Sequence, residues 1–125
     1  MLMKEDWLLR QIDVLIQFIV RMLSKDKENQ KLTTDHRTGQ ADRLQEELEL
    51  LLDEGKLSEA ENHLFNCLDG KDEASLAAAV DFYQRLNQMS DQQLGEGDFS
   101  REEVMEGLLD TLNRYGIALN ELGLS

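Results

Sequence analysis

Residues 44–68 read LQEELELLLDEGKLSEAENHLFNCL. Leu44, Leu48, Leu51 and Leu52 recur at i, i+4, i+7 and i+8, which lines them along one face of an α-helix. Gly55 follows, the residue best suited to the left-handed backbone that ends a helix. Ser58 and Glu61 then stand at the spacing of a capping box, which starts a new helix. That helix turns Ala60, Leu64, Cys67 and Leu68 to one side, with Phe65 flanking, and Asp69-Gly70 ends it. The turn Gly55-Lys56-Leu57 is too short for anything but antiparallel neighbours. The hairpin sets the fold class as all-α, and the rest of the chain is consistent with it.

C-terminal to the hairpin the same grammar repeats. A helix is predicted from about Asp72, its N-cap, to Gln88, with Ala74, Leu76, Ala77, Val80, Phe82, Tyr83 and Leu86 as apolar faces. The run Ala77-Ala78-Ala79 lets a neighbouring helix approach closely. Ser90 to Gly97 reads as a connector with a helical turn over Asp91–Leu94. The last long helix begins at Ser100, where Ser100 and Glu103 repeat the capping box and Phe99 and Val104 stand at staple spacing. Its face is Val104, Leu108, Leu112 and Tyr115; Gly116 caps it and Ile117 follows as a Schellman ending requires. About five main helices result. The chain has no proline and only 8 glycines, and β-branched residues are scarce outside its first helix, so strand-like alternation is missing.

N-terminal to the hairpin, residues 26–40 (DKENQKLTTDHRTGQ) lack apolar periodicity and carry loop formers. They read as a polar linker between an N-terminal helix, residues 1–25, and an acidic helical-hairpin domain, residues 41–125. The N-terminal helix, about Glu5 to Ser24, is apolar over well over half its circumference; only Arg10, Asp13, Gln17, Arg21 and Ser24 form a polar strip. A helix at the edge of a small monomer needs a narrower apolar stripe, so this one is expected to be buried on more than one side. Self-association through it, on Trp7, Leu8, Ile12, Leu15, Ile16, Ile19, Met22 and Leu23, is the leading reading. A purely internal core helix and contact with a membrane surface are the others. Trp7, the sole tryptophan, suits a core position and an interface anchor equally. Charged and polar residues interrupt every window long enough to span a bilayer.

The net charge is −13. Residues 1–40 hold 7 Lys/Arg against 6 Asp/Glu, whereas residues 41–125 hold 6 against 20. An acidic body repels phosphate backbones, which argues against nucleic acid and favours solvation or a protein partner with a basic surface. One cysteine excludes an internal disulfide and suits a reducing, cytoplasmic setting. The start, with Asp6 ahead of the apolar stretch and no small-residue cleavage site, does not read as a secretory signal.

Chemistry-bearing residues are few. Glu59, His63 and Cys67 share a helix face, but a structural zinc site wants four ligands, and the only other histidine, His36, falls in the linker. A nucleophilic Cys67 needs a base and a lowered pKa; His63 is one turn away, with no third orienting group. A buried, inert cysteine on the apolar face is the expectation. The pairs Glu46-Glu47, Asp53-Glu54 and Glu102-Glu103 suit helix ends and solvated faces. The segment DQQLGEGD at 91–98 lacks the ligand spacing of a calcium loop. No catalytic, metal or cofactor site is expected, and the chain reads as a non-enzymatic interaction or scaffold module.

Leu44 to Asp69 resembles one tetratricopeptide helical hairpin, with Leu44, Leu48 and Leu51 on its first helix, Gly55 at the turn, Ala60 at the small position and Cys67 at the next. Leu64 stands where that unit usually has an aromatic, its tryptophan–glycine–tyrosine signature is absent, and no second copy follows, since Arg85 and Met89 break the pattern. The resemblance implies tetratricopeptide-like packing. Over nearly its full length the chain also resembles a family of short, uncharacterised bacterial helical proteins, through DWLLRQIDVLIQFI at Asp6–Ile19, EGKLSEAENHLF at Glu54–Phe65 and DFSREEVMEGL at Asp98–Leu108. That likeness implies a bacterial, cytoplasmic protein and carries no catalytic residue with it.

Overall fold

The computed structural model describes residues 4–29, 38–68 and 73–117. It contains α1 (Lys4–Asn29), α2 (Thr38–Asp53), α3 (Leu57–Cys67), α4 (Glu73–Gln88), α5 (Asp91–Glu96) and α6 (Arg101–Arg114), and the described residues include no strand. The fold is all-α. Helix α1 runs past the expected end at Ser24 because Lys and Glu after it are strong helix formers that need no apolar face to continue. Residues 26–29 and 38–40 of the expected linker are therefore helical; residues 30–37, the expected cap Asp72 and the leucines beyond Ile117 lie outside the described residues.

Helix α4 is the axis of the bundle and packs against α1, α2 and α6. It is the helix least able to face water: Leu76, Ala78, Ala79, Val80, Phe82, Tyr83 and Leu86 are all buried, an arc wider than the stripe of a surface helix. Phe82 and Tyr83 meet edge-to-face, ring centroids 5.0 Å apart. Around this axis, α2 and α3 form the antiparallel hairpin, and α1 lies across both α4 and α6. Ile12, Leu15, Ile16 and Ile19 of α1 share one core with Leu44, Leu48, Leu57, Leu64, Val104, Leu108 and Leu112.

Three helices end the same way. After α2, Lys56 N–H bonds to Leu51 O (2.9 Å) and Gly55 N–H to Leu52 O (3.0 Å), with Gly55 at φ 77°. After α6, Ile117 N–H bonds to Leu112 O and Gly116 N–H to Asn113 O, with Gly116 at φ 72°. Both are Schellman endings, the form expected at Gly116 and a fuller version of the left-handed cap expected at Gly55. After α5 the same pair of bonds runs from Phe99 to Leu94 and from Asp98 to Gly95, but the left-handed residue is Asp98, at φ 59°.

Helix starts depart more from expectation. Ser58 is not a cap. Helix α3 begins at Leu57 behind Lys56, with no side-chain cap, because the Schellman turn feeds the chain directly into the next helix. The Ser58 hydroxyl instead donates to Asp98 O (3.3 Å), and Glu61 turns toward α4. Ser100 does cap α6, accepting from Glu103 N–H (3.2 Å). The Glu103 carboxylate returns to the Ser100 hydroxyl (3.1 Å) rather than to the backbone. The full reciprocal box occurs at Ser90 and Gln93 of α5, an element expected only as a turn.

Because Asp98 occupies a conformation that a residue without Cβ adopts freely, Asp98→Gly should stabilise the fold by about 0.5–1 kcal/mol. Thermal unfolding followed by circular dichroism checks this; a lower Tm would show that the Asp98 side chain contributes more than its backbone strain costs.

Candidate functional site

The surface that stands out is on α1. With about 100° between successive residues, Leu8, Ile12, Leu15, Ile16 and Ile19 form one face, and all five are buried in the chain's own core. Leu23 is half-buried beside them. These residues of the expected self-association set are therefore committed inside the protomer; of that set only Trp7 (54% exposed) and Met22 (38%) remain open. Periodicity alone does not say which part of an arc this wide meets the neighbours. Exposed beside Trp7 and Met22 are Val14 and Phe18, on one shoulder of the buried face, while Leu9 and Val20 are exposed on the other. Between the shoulders lies the polar wedge of Arg10, Asp13, Gln17 and Arg21. Trp7, Val14, Phe18 and Met22 follow at intervals of seven, four and four along this shoulder, with the half-buried Gln11 between Trp7 and the other three.

The position of this strip is fixed from inside. The Asn87 side-chain amide of α4 donates to Leu9 O of α1 (3.1 Å). Asn87 is held in turn by Arg101, whose guanidinium donates to Asn87 O (2.8 Å), Met89 O (2.9 Å) and the Asp91 carboxylate (2.9 Å). The Arg101 side chain is only 4% exposed. The carbonyls it takes belong to the C-terminal end of α4, where backbone acceptors lack helical partners and a cation is favoured. Arg101 thus joins α4, α5 and α6, and through Asn87 reaches α1. Sequence reasoning passed over it. A cation directly after the N-cap of α6, at the wrong end of the dipole for its charge, was the available signal.

A second polar group lies between α3, α4 and α6. The Tyr83 hydroxyl donates to Glu61 Oε2 (2.8 Å). Gly107 of α6 sits against both, and a Cβ there would collide with the Tyr83 ring and the Glu61 carboxylate. Burial raises the Glu61 pKa above its ordinary 4.5; the Tyr83 bond opposes the rise, and Glu103, Asp110 and Glu106 add to it. Burial, then the Glu61 charge, pushes the Tyr83 hydroxyl up.

The remaining chemistry-bearing residues are dispersed. Cys67 is exposed, contrary to the expectation of a buried thiol, although Leu64 and Leu68 on either side of it pack into or against the core. Its pKa is raised, by partial burial first and by Glu47 second, so at neutral pH it stays a thiol, the weak form of the nucleophile. His63 Nε2 lies 3.3 Å from Glu47 Oε1, outside hydrogen-bonding alignment. Arg85, the misfit to a second repeat, is exposed and ties α4 to α2 through Glu49 (2.9 Å) while pairing with Asp81 (2.9 Å) on its own helix. Among the described residues no group of three His, Cys, Asp or Glu side chains could hold a metal ion, and no described helix is long and apolar enough to cross a membrane.

Fold and surface together define a helical-bundle protein whose distinguishing exterior feature is one apolar helix shoulder. The chain belongs to a family of unknown function (DUF6483), whose model matches residues 2–116. No curated protein and no solved structure matches it.

Arg101→Ala should destabilise the protein by about 3 kcal/mol, since it leaves buried carbonyls unpaired, while Asp91→Ala, removing its exposed partner, should cost less than about 1 kcal/mol. Urea denaturation measures both; equal costs would place the strength of the knot in the ion pair instead. Gly107→Ala should cost about 1–3 kcal/mol through overpacking, opposite in sign to the gain of about 1 kcal/mol that the change brings in an open helix. The same denaturation series reads that sign.

Proposed function

We propose that this protein is a non-enzymatic interaction or scaffold module that self-associates through α1, along Trp7, Val14, Phe18 and Met22. The carrying observation is where the exposed apolar surface lies. Of the seven large apolar side chains exposed among the described residues, six are on α1 and the seventh is Leu50 of α2. Apolar side chains gathered on one helix in this way mark contact with another body, and a tryptophan at one end supplies an anchor.

Charge and shape favour a second copy. The acidic residues are concentrated in 41–125, while 1–40 is close to neutral; pairing along α1 joins the parts of two chains that repel least. The exposed arc of α1 is polar at its centre and apolar at its shoulders. A flat bilayer would press on the polar centre, whereas a partner helix can lie along one shoulder and leave Arg10 and Arg21 in water. In this reading the protein works in a bacterial cytoplasm, the α2–α3 hairpin is a tetratricopeptide-like unit, and the acidic body is free to meet a partner with a basic surface.

Deleting α1 would remove Ile12, Ile16 and Ile19 from the core and confuse assembly with folding. Val14→Glu combined with Phe18→Glu changes only exposed positions, so its stability should stay within about 1 kcal/mol of the parent. Light scattering after size exclusion is expected to show a dimer or larger species for the wild type and a monomer for the double variant, at equal helicity. A wild type that is monomeric at every concentration would sink the self-association reading. Sedimentation of the wild type, but not the variant, with anionic vesicles would assign the shoulder to a membrane surface instead.

A further inference from the structure

Glu61 stands apart from anything α1 binds. Its carboxylate reaches from α3 to the Tyr83 hydroxyl of α4 (2.8 Å) over the bare backbone of Gly107. On α6, Glu103 and Asp110 stand one turn to either side of the Gly107 that lies against Glu61, and Glu106 immediately precedes it, so the charges α6 brings beside Glu61 share its sign. From α4 the titratable neighbour is Tyr83. Arg114, further along α6, is engaged by Asp110 (3.5 Å) and lies over the Phe65 ring (4.5 Å). On another side of α3, His63 faces Glu47 of α2. Four carboxylates thus crowd one seam, and Glu61 is the half-buried one.

We propose that the Glu61–Tyr83 contact is a proton-operated clasp that holds α3 against α4 and α6 more firmly as the pH falls. When Glu61 is ionised, burial withholds solvent from its charge, and Glu103, Asp110 and Glu106 add repulsion of the same sign, both working to part α3 from α6. When Glu61 takes up a proton, the cost of burying its charge and the repulsion both go; the Tyr83 bond weakens as it loses a charged acceptor, and the burial term outweighs that loss. The direction follows from linkage. A carboxyl that holds its proton more tightly in the folded than in the unfolded chain contributes its full stability below the unfolded value, here 4.5. That contribution is lost as pH rises through the higher folded value. Helix α3 is held by its packing against α2 and by its buried Leu57, Ala60 and Leu64, with Ser58 to Asp98 and Glu61 to Tyr83 as polar links to the other elements among the described residues, so a change at Glu61 adds to or subtracts from the cost of opening α3.

Amide hydrogen exchange over residues 57–67, corrected for the intrinsic pH dependence of exchange, tests the clasp in the full chain. Wild-type protection is expected to fall as pH rises from the acid side of 4.5 to neutrality, by up to about tenfold for each unit separating the folded and unfolded pKa values. Glu61→Gln keeps an acceptor for Tyr83 and removes the charge; its protection should be flat with pH and match the wild type at the acid end. Glu103→Gln with Glu106→Gln leaves Glu61 in place and should move the wild-type fall to lower pH. A flat wild-type profile, or a Glu61→Gln profile as steep as the parent's, or a fall that does not move when Glu103 and Glu106 are neutralised, would overturn the proposal.

Discussion

Everything in this bundle is arranged to keep α4 out of water. A helix that presents Leu76, Val80, Phe82, Tyr83 and Leu86, with Ala78 and Ala79 between them, can leave open only the narrower side that carries Asp81, Arg85 and Gln88. Helices α1, α2 and α6 each cover part of it. The alanines let neighbours come close, and close approach is what makes the polar details strict. Gly107 has no room for a side chain, and the deeply buried Arg101 guanidinium sits where the α4 backbone runs out of helical partners. Arg101 and Asn87 take those terminal acceptors and in doing so tie α1, α5 and α6 to the end of the helix they cover.

The sequence was legible wherever local chemistry decides structure. Gly55 and Gly116 end helices as their position demands, Ser100 caps α6, and the leucines at 44, 48, 108 and 112 face inward as their spacing implies. It was less legible where one pattern admits two uses. Ser58 and Glu61 have the right spacing for a capping box, yet the preceding turn already starts the helix, and both side chains are spent on distant neighbours. Cys67 shares the apolar spacing of Leu64 and Leu68, which pack, yet it is itself exposed. Asp98 fills a left-handed position without being glycine, so it carries no local mark.

The candidate surface illustrates the same limit. That α1 is too apolar for an ordinary surface helix follows from its residues alone. Which residues are spent on the core and which are left outside does not, because that depends on the angle at which two other helices arrive. Ile12, Ile16 and Ile19 go inward; Val14 and Phe18, equally apolar, stay out. Arg101 was invisible for a related reason: a cation is sheltered only if tertiary structure brings it carbonyls, and those of Asn87 and Met89 lie more than a helix away in the chain.

The bond from Asn87 to the Leu9 carbonyl acts as a stop on a screw. A helix sliding or turning by one residue in its groove would keep much of its greasy contact, since apolar packing is tolerant, but it would break that bond. The rotational phase of α1 is thereby locked to the end of α4. Any body that lies along the outer shoulder of α1 consequently meets the acidic bulk of the protein at one fixed angle, set by a single amide inside the chain.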